Sequence, residues 1–241
     1  MSRLNRKISV SSRALRQAPG NRQGGMTLIE LMISVVLGLI ILTALINVYS
    51  GSSRSSQFSS GLQTMQENGR YGMMTLQRGF RLAGYSPTTP LAPFDLAAGD
   101  ETTVVVQMTR QFDCNGESTA ASAGVAINTY RFDAANSQIT CEGNSASSSE
   151  MPLVEGVDAF RVLYGIDADG DSFAERYVSY DASIDPNSIG SVRFALLVNS
   201  QSAIRTNVTT ETYVVLDDEQ AFTDKISRQV FTGTVLLRNG S

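Results

Sequence analysis

The chain has 241 residues, 42% of them hydrophobic, with 19 Lys and Arg against 23 Asp and Glu, and neither His nor Trp. That length allows one substantial domain plus a membrane segment, and the missing histidines exclude His-based triads and His metal sites. Six of the basic residues and none of the acids fall in residues 1–25, so 13 basic against 23 acidic residues remain beyond Gly25, a charge of −10 that argues against a general nucleic-acid footprint.

The first 25 residues carry Arg3, Arg6, Lys7, Arg13, Arg16 and Arg22. By the positive-inside rule this flank stays cytoplasmic, and the acidic remainder lies outside. From Leu28 to Val48 the residues are apolar except Glu30, Ser34, Thr43 and Asn47, with small Gly38 among them. About 20 such residues in a helix cross the hydrocarbon core of a bilayer. Glu30 is out of place in such a span, because an acid there is costly and points to a functional role with a partner.

Gly25-Met26-Thr27-Leu28-Ile29-Glu30-Leu31 resembles the cleavage and methylation signal of type IV prepilins and type II secretion pseudopilins. The resemblance implies cutting after Gly25 by an inner-membrane prepilin peptidase, N-methylation of Met26 by the same enzyme, and an assembly role for Glu30 as fifth residue of the mature chain. Major pilins often carry a proline in the span at the position of Asn47, and its absence suits a minor component.

Beyond the span, Phe58, Leu62, Met65, Gly69, Met73, Leu76, Phe80 and Ala83 recur at three or four residues, one face of an amphipathic helix. Gly84 and Pro87 supply a stop. Taken as one element, Thr27 to Leu82 predicts a helix of about 56 residues, roughly 85 Å long at 1.5 Å per residue. Gly51, Gly61, Gly69 and Gly72 each cost about 1 kcal/mol relative to Ala. A membrane anchor followed by a separate short helix is the alternative.

Residues 86–100 read as a loop with three prolines. The pattern then changes to period two. Predicted strands are Thr102 to Thr109, Val125 to Phe132, Val157 to Ile166, Glu175 to Tyr180, Val192 to Asn199, Thr212 to Leu216 and Val230 to Leu237, with polar loops at 145–149 and 200–210. A helix followed by a run of strands is an α+β order. The expected organisation is a leader at 1–25, a membrane half-helix at 26–49, an amphipathic half at 50–85 and a β-rich head at 86–241.

Cys114 and Cys141 are the only cysteines. Outside the cytoplasm they favour a disulfide, enclosing a mid-chain hairpin, over two free thiols or a metal pair. Further on, Asp167, Asp169 and Asp171 alternate around Gly170, with Glu175 four residues later. This resembles the start of a calcium loop, but Gly170 falls too early, the twelfth position is Val178 and no helices flank it. A solvated turn between two strands is the favoured reading, with calcium as the alternative.

Val154-Glu155-Gly156-Val157, Phe160 through Gly165 and the acidic turn resemble PilW-type minor pilins, as do Arg228 through Asn239, Gln66 through Tyr71 and Arg81 through Tyr85. The resemblance implies a pilin-like α+β fold, with a long N-terminal helix packed on an antiparallel β-rich head outside the inner membrane. It also implies a non-enzymatic minor pilin that helps prime a type IV pilus and supports adhesion or twitching motility. Partners would be other minor pilins, the major pilin and the prepilin peptidase, with nucleic acid only in a DNA-uptake pilus. The rivals are a minor pseudopilin of a type II secretion system (pseudopilin J is the near neighbour) and a membrane-anchored periplasmic enzyme or binding protein.

Overall fold

A computed structural model describes residues 25–171 and 173–239, so the leader residues 1–24 lie outside the described residues. The chain divides into two compact units, Met1–Ser50 and Gly51–Ser241. Helix α1, Leu28–Arg81, runs unbroken for 54 residues through the boundary between them. Gly51 does not interrupt it.

In the first unit every large apolar side chain of α1 from Leu28 to Tyr49 is more than half exposed. The segment is long and apolar enough to cross a membrane. A helix that is apolar all round needs a non-aqueous surrounding, and in one its backbone groups must be satisfied internally, as a helix does. The polar side chains follow the same rule. The Ser34 hydroxyl donates to the Glu30 carbonyl at 2.7 Å, and the Thr43 hydroxyl to the Leu39 carbonyl at 2.8 Å.

In the second unit α1 buries Gly61, Met65, Gly69, Gly72, Leu76, Gly79 and Phe80. The expected face is buried at Met65, Gly69, Leu76, Phe80 and Ala83, and Gly61, Gly72 and Gly79 widen the stripe. Phe58 is exposed and Leu62 and Met73 are only partly buried, because glycines rather than the larger residues line the closest approach. The helix stops at Arg81, and the Asn239 side chain donates to the Arg81 and Ala83 carbonyls at 3.2 and 3.4 Å. Those contacts satisfy carbonyls that a helix end leaves without partners.

The strands form two antiparallel four-stranded sheets and a hairpin. The first sheet is a meander of β1 (Thr103–Thr109), β2 (Val125–Asp133), β3 (Gln138–Glu142) and β4 (Met151–Glu155), paired in sequence order. The second contains β5 (Val157–Ile166), β6 (Arg176–Val178), β7 (Ile189–Ala203) and β10 (Ile226–Leu236), in the order β10-β7-β5-β6. Between β7 and β10 in the chain, β8 (Thr209–Val215) and β9 (Asp218–Asp224) make the separate hairpin. The chain crosses from one sheet to the other at Gly156, whose φ of +70° suits glycine and strains other residues.

Phe80 joins the layers. Its ring meets Phe194 of the second sheet at 5.1 Å, Tyr130 of the first at 6.0 Å and Phe94 of the preceding loop at 6.4 Å, each edge-on. Burial pushes the Tyr130 hydroxyl up to about 12. The other face of the second sheet buries Ala159, Ala195 and Leu197 beneath Val215, Tyr213 and Phe222 of the hairpin. Strand β7 is therefore covered on both sides, which explains its unbroken apolar run Phe194-Ala195-Leu196-Leu197-Val198.

Three strands depart from expectation. β3, β4 and β9 carry too few β-branched residues, or too many acids, to stand out, and they form through pairing with β2, β3 and β8. The polar loop expected at 200–210 is mostly strand, since β7 runs to Ala203 opposite Ile226 and β8 starts at Thr209.

Candidate functional site

At the start of α1, Gly25, Met26 and Thr27 are exposed and non-helical. Helix geometry begins at Leu28, and the residue before it is its cap. The Glu30 backbone N–H donates to the Thr27 hydroxyl at 3.3 Å, and the Leu31 N–H donates to the Thr27 carbonyl at 3.1 Å. Thr27-x-x-Glu30 has the spacing of a capping box. It was available in the sequence as Thr-x-x-Glu ahead of an apolar run, and sequence reasoning passed over it. The cap leaves the Gly25–Met26 bond exposed and outside the helix. Glu30 is exposed in the first turn, where the positive end of the helix dipole favours a carboxylate.

Cys114, in the loop after β1, is joined to Cys141 on β3, with S–S 2.00 Å and Cα–Cα 6.5 Å. The bridge encloses more than the expected hairpin: a 3-10 turn at Ala120–Ser122, the whole of β2 and the turn into β3. The loop is also held by polar contacts. Asp113 Oδ1 accepts the Asn115 and Glu117 N–H groups, each at 3.0 Å, and Asn128 Oδ1 accepts the Cys114 N–H at 2.9 Å.

Asp167, Asp169, Asp171 and Glu175 lie in the turn from β5 to β6, and one carboxylate oxygen from each lies within 4.8 Å of the others. The structure brings together all four residues singled out in the sequence, and such a cluster could hold a metal ion. The same carboxylates also build the turn. Asp167 Oδ1 accepts the Gly170 N–H at 2.7 Å, Asp171 Oδ1 the Phe173 N–H at 2.8 Å and Glu175 Oε2 the Ala168 N–H at 2.8 Å. A solvated acidic turn with carboxylates spent on its own backbone accounts for this geometry.

At the junction of hairpin and second sheet, the Arg228 side chain is almost fully buried. Its guanidinium pairs with Asp158 and, through two nitrogens at 2.7 and 2.9 Å, with Asp224, while stacking 3.8 Å over the Phe222 ring. The hydrogen bond from Arg228 holds the Asp224 carboxyl below the usual carboxylate range. These charges are paired internally, a structural use.

The family model described as type IV pilus-assembly protein W matches residues 131–239, from the end of β2 to the end of the described chain. The prokaryotic N-terminal methylation motif matches residues 20–46, which contain Gly25, Met26 and Glu30. Among solved structures, a type IV-like pilin from Thermus thermophilus is similar over 73% of this chain and 97% of its own, at 16% identity and a TM-score of 0.46. No curated relative matches the chain.

Proposed function

We propose that this chain, which carries the methylation motif of prepilins at residues 20–46 and matches the pilus-assembly protein W model over residues 131–239, is a minor pilin that primes the filament and sits in its tip complex. Its partners in that role are other minor pilins, the major pilin and the prepilin peptidase. The family is one of assembly and not of catalysis, so the chemistry falls on the chain itself. In this reading residues 1–25 are removed, 26–49 anchor the subunit in the inner membrane, 50–85 form the packed half of the spine, and 86–241 form the head outside the cytoplasm.

One observation carries the reading: a capped helix, apolar all round for its first half, starts just after an exposed Gly25–Met26 bond. That order supports cleavage after Gly25, methylation of the new Met26 amine, and pairing of Glu30 with a neighbouring subunit's N-terminal amine as the span leaves lipid. Two opposite charges brought together in a low-dielectric bundle offset part of each other's desolvation. The intact mass of the protein extracted from peptidase-competent membranes tests it. The expected mass is that of residues 26–241 plus one methyl group, and a chain retaining residues 1–25 overturns the reading. Glu30→Ala is expected to be cleaved normally but to enter filaments poorly.

The acidic turn supports a second, smaller proposal, a calcium site formed by Asp167, Asp169, Asp171 and Glu175. An oxygen-only set suits calcium over zinc or copper. Millimolar calcium should then raise the melting temperature of the whole protein, since a ligand of the native state stabilises it, and Asp169→Ala should remove the rise. An unchanged melting curve leaves a plain turn.

A further inference from the structure

The end of the head that packs on the first turns of α1 beyond residue 51 carries a charge pattern opposite to the chain as a whole. A pocket of about 270 Å³ there is lined by Arg54 and Gln57 of α1, Arg205 and Thr206 of the β7–β8 loop, and Lys225 between β9 and β10. No carboxylate lines it. Three of the 13 basic residues beyond Gly25 therefore converge on one small concavity of a chain that is otherwise strongly acidic.

Packing forces these cations together. The β7–β8 loop is pinned to the helix at Gly61, where a Cβ would meet the Ile204 side chain at 2.7 Å. The Arg205 N–H donates to the Lys225 carbonyl at 3.0 Å, which fixes the two basic segments side by side. Arg205 is matched by Glu211 and by the hydroxyls of Thr209 and Tyr213. Arg54 and Lys225 have no ion-pair or side-chain hydrogen-bond partner among the described residues. Both residues are exposed, so their charges are open to an anion that enters the polar pocket.

The position along α1 indicates which anion. Arg54 is the only charged residue of the helix between Glu30 and Glu67. It follows Tyr49, an exposed aromatic at the end of the apolar run, by five residues. At 1.5 Å per residue that is roughly 8 Å, and aromatic residues of this kind mark the membrane–water boundary. The headgroup layer is about 5–8 Å deep on each side of the hydrocarbon core. The long stems of Arg and Lys bring their charges to that level from either side.

We propose that this pocket binds the phosphate of an anionic phospholipid headgroup and seats the head on the bilayer while the subunit waits in the membrane. The inference rests on the membrane-anchor reading of α1. Arg54 and Lys225 contact the phosphate, with Gln57 and Thr206 as neutral donors. Arg205, already matched by Glu211, holds the loop in place. Extraction of the subunit would break this contact, so the pocket favours the membrane-resident state over the assembled one.

The test uses the full chain in lipid nanodiscs, of phosphatidylcholine alone or with phosphatidylglycerol, read by hydrogen exchange at the backbone amides of residues 203–206 and 225. Exchange there should slow with phosphatidylglycerol, while the turn at 168–171 stays unchanged. At about fivefold per basic residue near an anionic surface, Arg54→Gln with Lys225→Gln should lower the protection roughly 25-fold at an unchanged melting temperature, and 0.5 M salt should weaken it. Equal exchange in both lipids, or protection retained in the double variant, overturns the proposal. Equal protection by inorganic phosphate added to phosphatidylcholine discs overturns the lipid as the ligand. Resistance to alkaline carbonate is measured on the same discs. A chain stripped from both compositions overturns the anchor reading and this proposal with it, whereas a retained chain without lipid-dependent protection overturns this proposal alone.

Discussion

Gly38 and Gly51 of α1 have open space where a Cβ would stand, whereas a Cβ at Gly61, Gly69, Gly72 or Gly79 would lie within 2.9 Å of a head side chain. One helix thus uses the same residue type in two ways. Up to Ser50 its large apolar side chains are more than half exposed on all sides, a surface that suits lipid or other subunits. From Gly51 on, four missing side chains let the head come up against the helix backbone: Ile204 at Gly61, Phe231 at Gly69, Leu196 and Val154 at Gly72, Tyr130 at Gly79. The contrast teaches that helix propensity and packing pull against each other here. Each glycine weakens the helix by about 1 kcal/mol relative to Ala, and only in the second half does a contact offset that cost.

The hardest way to break the packed half is at its centre. Phe80→Ala removes a fully buried ring that touches both sheets through Phe194 and Tyr130. Loss of about 3–5 kcal/mol of head stability is expected, measured by denaturant unfolding in detergent. The first half of α1 should keep its membrane insertion and its cleavage at Gly25, because nothing between Leu28 and Tyr49 depends on that ring. A variant that unfolds the head and also blocks processing would show that the halves are not independent.

Next in size is the disulfide. The separation of 27 residues between Cys114 and Cys141 corresponds to roughly 3–4 kcal/mol in the chain-entropy model. Cys114→Ser with Cys141→Ser should lower head stability by about that amount and leave cleavage untouched. In the unreduced wild type, both thiols should resist alkylation until reductant is added.

The two halves also differ in how far the sequence disclosed them. The span, the Gly25–Glu30 signal and the α+β order are legible because each rests on local information: an apolar run, a fixed register, a change of period from 3.6 to 2. The head is legible only where a strand carries its own β-branched residues, as β1, β5 and β7 do. Strands β3, β4 and β9 take their conformation from the neighbour they pair with, which no local pattern records. The buried stripe of α1 is wider than its apolar pattern for the same reason: Phe58 looks like a core residue and is exposed, while Gly61, Gly72 and Gly79 are buried where the head approaches. The acidic turn was legible as a cluster, since its spacing is local. The basic pocket was not, because Arg54, Arg205 and Lys225 meet only through the fold.

The smallest effects give the sharpest contrast, since one substitution is expected to act with opposite signs in α1. Gly69→Ala places a methyl 2.3 Å from the Phe231 ring carbons. That distance is impossible without moving Phe231 or parting helix from sheet, and overpacking of this kind costs about 1–3 kcal/mol. A better helix former therefore destabilises the head by what remains after a gain of about 1 kcal/mol from propensity. Gly51→Ala meets nothing within 4 Å and keeps only the gain. Backbone amide exchange around residues 50–56 should slow about fivefold, the equivalent of about 1 kcal/mol in local opening. Faster exchange at Gly51→Ala would mean that this position bends in the working protein and that glycine is there for motion. Slower exchange at 50–56 together with a less stable Gly69→Ala head would establish that packing, and not helix continuity, sets where glycine is required along the spine.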